Sequence, residues 1–123
     1  MDTIKTTQGK ALNAYSTINR IRNKIKGKDA LNLFHLKNVL QENVDFQVEQ
    51  ERSLVEEYGG TVTETGAVLI EDKDRRLEFQ QAYRELQEME CEVKTEPLTM
   101  SIDRNPDITL DDIEQLDGFI IFK

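Results

Sequence analysis

One run of residues constrains this chain more than any other. Between Ala30 and Tyr58, the residues Leu33, Leu36, Leu40, Val44, Val48, Val55 and Tyr58 recur at spacings built mostly from threes and fours, which place side chains on one face of an α-helix. Asp29 stands before the stripe as an N-cap, and Gly59-Gly60 ends it, since paired glycines supply a left-handed cap. A helix of this length spans about 40 Å, more than a compact domain of this mass needs, so one end is expected to project or to pack against a partner helix. The polar stretch from Gln47 to Arg52 interrupts the stripe, a pattern that suits a coiled-coil arm better than a core helix.

The rest of the chain predicts an α+β fold: a long helical hairpin plus a basic N-terminal helix, with short antiparallel β elements and a short C-terminal helix. The first helix is expected over 8–26, with Leu12, Tyr15, Ile18 and Ile25 inward, Ala11 and Ile21 beside them, and Gly27 as its stop. β-branched residues on either side of Glu64-Thr65-Gly66 read as a hairpin within 59–71. Asp72 then caps a helix over 73–89 whose face of Phe79, Ala82, Tyr83, Leu86 and Met89 lets it lie back along the long helix.

From Cys91 the apolar period falls to two. Cys91, Val93 and Thr95, then Leu98, Met100 and Ile102 beyond Pro97, alternate with polar residues, as in two short strands or one bent strand. Thr109 and Asp112 resemble a capping box, and a helix over 110–117 is expected to bury Leu110, Ile113 and Leu116. The ending Phe119-Ile120-Ile121-Phe122 is apolar on both faces of an extended chain. Core is its expected place, and a docking tail through Phe119, Ile121 and Phe122 is the alternative. With 123 residues the chain reads as one domain: helical over 8–58, a hairpin over 59–71, then a helix, short strands, a short helix and the apolar tail over 72–123.

Charge divides the chain. Residues 1–40 carry eight Lys/Arg against two acids, a net of +6, while residues 41–123 carry eight bases against 22 acids, a net of −14. Such asymmetry governs partner choice and association rate more than fold. Two surfaces follow: a basic stripe of Arg20, Arg22, Lys24 and Lys28, and an acidic surface that includes Glu49, Glu56, Glu57, Glu88 and Glu92. The acidic body disfavours direct nucleic-acid binding, since phosphate contacts need a basic surface with little acid beside it. An acidic mimic of nucleic acid is the opposite possibility.

Chemistry is sparse. His35, the one histidine, has no recognisable nucleophile or orienting partner near it in sequence. Cys91 is alone, which excludes an internal disulfide and a multi-cysteine zinc site. No phosphate loop, calcium hand or hydrolase elbow occurs. The chain is therefore read as a non-enzyme without catalytic residues, metal ligands or cofactor. Nothing approaches the run of about 18 apolar residues that a membrane span needs, and no signal-peptide stretch opens the chain, so a soluble protein without a membrane partner is expected.

Ala11-Leu12-Asn13, the Leu54-Val55-Glu56-Glu57-Tyr58-Gly59 helix ending, Phe79 with Leu86, the Glu90-Cys91-Glu92-Val93 strand, and Ile108-Thr109 with Ile113 and Leu116 follow in this order over about residues 11–122. The order resembles a family of small acidic proteins of unknown activity encoded by tailed phages and prophages of Gram-positive bacteria. What the resemblance implies is action in the cytoplasm of an infected bacterium, or assembly into a virion. It assigns no functional residues. The expected function is a non-catalytic accessory protein that binds and modulates or inhibits a host or phage protein, such as a defence nuclease, polymerase or recombinase. A minor structural or assembly protein of the virion, self-associating through the long helix as a homodimer or larger multimer, is the alternative. DNA binding through the basic first helix is a weaker one.

Overall fold

Thr7 ends one element and starts the next. In the computed structural model, which describes residues 3–123, strand β1 (Ile4–Thr7) runs into helix α1 (Gln8–Ile21), and the Thr7 hydroxyl caps that helix by accepting the Lys10 N–H at 3.3 Å. The sequence pattern does not reveal β1. It pairs antiparallel with β4 (Glu90–Val93), Ile4 opposite Val93 and Thr7 opposite Glu90.

α1 ends at Ile21, five residues earlier than the periodicity indicates, and passes through a 3-10 turn at Arg22–Lys24. The reason is Ile25, which reaches the core only because the backbone there has become extended. Helix α2 (Lys28–Glu57) starts from Gly27 and not from Asp29. Asp29 is buried in the first turn, where its carboxylate accepts the Ser101 N–H at 3.3 Å and the Asn105 Nδ2–H at 2.8 Å. It joins α2 to a distant loop and leaves the helix start uncapped by a side chain. At the other end, Gly59 adopts φ +67°. There the Gly60 N–H bonds Val55 C=O and the Gly59 N–H bonds Glu56 C=O, the paired closure that a left-handed residue permits.

Strands β2 (Thr61–Val62) and β3 (Val68–Leu69) form the expected hairpin, with Gly66 in its turn. Asp72 Oδ1 accepts the Asp74 and Arg75 N–H groups and starts α3 (Lys73–Glu88). This helix returns along α2, bringing Phe79 to Tyr58, and its end reaches α1: Gln8 N–H bonds Met89 C=O at 2.8 Å. Gly9 permits that approach, because a Cβ there would lie 3.1 Å from Gln87.

β5 (Leu98–Met100) and β6 (Ile120–Phe122) make a third pair, which is parallel, so the β elements are not all antiparallel. Between them lies α4 (Leu110–Gln115), started by a complete Thr109–Asp112 capping box. Of the three residues expected inward, Leu116 is fully buried, Ile113 is half-buried and Leu110 is exposed. The architecture is α+β. Its core joins Ala11, Ala14, Ile18 and Ile21 of α1 to Leu33, Leu36 and Leu40 of α2, with Val93, Met100, Leu116, Phe119 and Ile120.

Candidate protein-docking surface

The apolar stripe of α2 breaks at residue 47 because a polar layer crosses the molecule there. Gln47 is buried while Val48, expected inward, is half exposed. The Gln8 Nε2–H groups donate to Asn43 C=O at 2.7 Å and to Gln47 Oε1 at 3.2 Å, Asn43 Nδ2–H donates back to Gln8 Oε1, and Gln47 Nε2–H donates to Glu51 at 2.8 Å. A buried amide is tolerated when its groups are paired in this way. Asn43 also reaches the Cys91 sulfur at 3.5 Å. Burial pushes the Cys91 thiol above its ordinary value, against a smaller opposing effect of Asn43, so this cysteine is a poor nucleophile.

Beyond the polar layer the molecule thins to an arm: the C-terminal half of α2, the β2–β3 hairpin and α3. Phe79 meets Tyr58 edge-on and stacks on Tyr83, both at 6.2 Å. Between the two helices and the hairpin runs a groove lined by Glu51, Val55, Val68, Phe79 and Tyr83. Val55 is its buried floor, whereas Val68 and Tyr83 stand at its rim more than a third exposed. Burial, reinforced by the Glu51 carboxylate, raises the Tyr83 phenol above its ordinary value, so it stays a neutral donor. Residues 47–89 hold eleven carboxylates against five bases. The groove therefore joins apolar contact to a negative surround.

The acidic residues singled out from the sequence are all exposed but do not form one patch. Glu49, Glu56 and Glu57 lie on the distal half of α2, Glu88 ends α3, and Glu92 is on β4 opposite Lys5. The basic stripe is not a stripe either. Arg20 is on α1, Arg22 and Lys24 are in the 3-10 turn, and Lys28 opens α2. Arg20 is moreover engaged, with Nη2 at 2.6 Å from the buried Asp112 carboxylate. Burial works to raise the Asp112 carboxyl, yet the hydrogen bonds from Thr109 and Arg20 outweigh it and hold the group below the usual carboxylate range.

The docking tail fails at Phe119, which is fully buried; Phe122 is half-buried against the core and only Ile121 stands out. His35 is exposed on α2. Among the described residues no cluster of His, Cys, Asp or Glu has the makings of a metal site, and no helix is long and apolar enough to cross a membrane. No family model, curated protein or solved structure matches the chain. The residues that sequence reasoning misses are Val68 and the groove-lining use of Tyr83. Their signal lies in the arm's low count of inward partners, which only the packing displays.

Proposed function

We propose that this protein is a non-catalytic binding factor that docks its acidic arm on a basic surface of another protein and so modulates or inhibits it. The observation that carries the reading is the groove of Val55, Val68, Phe79 and Tyr83 set among carboxylates. Buried aromatic and aliphatic anchors supply affinity, and a charged rim supplies orientation and rate. The phage resemblance narrows the partner to a host or phage enzyme of nucleic acids, whose basic cleft the arm would occupy in place of nucleic acid inside the infected cell. Assembly into a virion is the second reading, favoured by the long exposed face of α2.

The test is capture from a lysate of infected host with tagged protein, alongside two variants, V68S/Y83A and E56K/E57K. One stoichiometric partner, lost with both variants and weakened as salt rises through the screening range, is the expected result. Equal capture by all three proteins, or no partner, rejects the reading, and recovery of virion proteins alone moves it to assembly.

A further inference from the structure

One cleft of the head carries charge that nothing in the chain answers. It has a volume of about 340 Å³ and lies where the start of α2, the end of β5 with the loop beyond it, and Lys123 after β6 meet. Lys28, Arg104 and Lys123, far apart in sequence, all line it. All three are exposed, and among the described residues none has an ion-pair partner. They gather at the positive end of α2, whose first N–H groups no side chain caps, and cations there oppose the helix field and one another. Intramolecular stability does not account for their convergence.

Asp29 is the one carboxylate side chain in the lining, and only 5% of the residue is exposed. Its Oδ2 accepts both the Ser101 N–H and the Asn105 Nδ2–H. Asn105, itself fully buried, is held in turn by a second Nδ2–H bond to Ser101 C=O at 2.7 Å, so the carboxylate has a fixed orientation. Asp29 Oδ1 has no hydrogen-bond partner among the described residues, yet it is not sealed away as Asn105 Oδ1 is. Its open side is the cleft. A largely buried acceptor left free in this way calls for a donor.

We propose that the cleft binds hydrogen phosphate, free or as a monoester. Its oxygens meet the three cations and the α2 N-terminus, and its P–OH donates to Asp29 Oδ1. Three positive side chains against one negative leave two positive charges, the balance for a dianion that keeps one proton. A free amino acid brings a donor without net negative charge. Sulfate brings the charge without the donor, and sets an oxyanion against the Asp29 carboxylate. The inference goes beyond the binding reading, because this cleft is in the head and the docking groove is in the arm.

Titration of the purified full chain with sodium phosphate at neutral pH and constant ionic strength, followed through its backbone amide NMR signals, tests it. Saturable shifts at Asp29, Ser101 and Arg104 are the expected result, with sulfate at least about tenfold weaker. A nucleoside 5′-monophosphate that binds more tightly than phosphate assigns the site to a monoester, and one that binds more weakly assigns it to the free ion. R104Q/K123Q, two exposed substitutions, weakens phosphate about tenfold. D29N keeps an oxygen for Ser101 and Asn105 but turns an N–H to the cleft, so sulfate rises to the affinity of phosphate. Shifts that do not saturate, sulfate equal to phosphate in the wild-type protein, phosphate binding indifferent to R104Q/K123Q, or a D29N protein that still prefers phosphate overturns the proposal. Since no foreign protein enters, these outcomes leave the capture experiment to be judged separately.

Discussion

α2 passes through two regions that treat the same helix differently. In the head it contributes Leu33, Leu36 and Leu40, all at most 3% exposed and packed with α1, the β-pairs and the segment around Phe119. In the arm it contributes Val55, at 8%, which lines the groove with Val68 of the hairpin and with Phe79 and Tyr83 of α3. The polar layer of Gln8, Asn43 and Gln47 separates the two. A periodic sequence therefore specifies which side of a helix turns inward, while the number of elements covering that side decides how dry it becomes. The head gains stability from burial of large side chains, each contributing about 1.5–3 kcal/mol. The arm leaves apolar surface where a partner can use it.

The largest expected effect belongs to the head. Phe119→Ala, which empties a fully buried site, should cost about 4 kcal/mol in denaturant unfolding. Asp112→Ala should cost about 2 kcal/mol, since it removes the carboxylate's half of the α4 capping box, the bond it accepts from the Thr109 N–H, together with the Arg20 bond. The Asp112 carboxyl titrates lower folded than unfolded. Its contribution is thus complete above about pH 4 and lost as pH falls through the folded value. The wild-type advantage over Asp112→Asn should shrink below that pH and stay level above it.

Val55→Ala in the arm should cost only about 1.5 kcal/mol, the transfer of two methyl groups from a site free to relax. Hydrogen exchange should show the amides of α3 opening more readily than those of α1. Equal protection in the two helices, or a Val55→Ala loss matching Phe119→Ala, would dissolve the distinction between regions. Smallest of all, Lys24→Ala should change stability by less than about 0.5 kcal/mol, because among the described residues this exposed side chain makes no ion pair.

The helices α2 and α3, the hairpin between them, the caps at Asp72 and Thr109 and the stop at Gly59 are all legible in the order of residues. The docking surface is half legible: the carboxylates are visible as composition, but their dispersal over α2, α3 and β4 is not. The basic stripe misleads because an i, i+4 spacing counts only while the helix lasts, and α1 ends at Ile21. Leu110, Leu31 and Phe34 show the same limit from the other side, since an apolar residue in a helix says nothing about whether a neighbour arrives to cover it.

What the amino-acid order decided here is local. Side-chain period, a cap hydroxyl or carboxylate, and a glycine able to take positive φ act over a few residues, so their consequences can be read from a few residues. The fold alone decided that Ile4 meets Val93, that β6 lies parallel to β5, that Asp29 serves the loop at Ser101 and Asn105, and that Gln47 goes in while Val48 stays out. Each of these joins residues far apart in the chain or weighs one burial against another, and such contacts exist only once the whole chain has closed on itself.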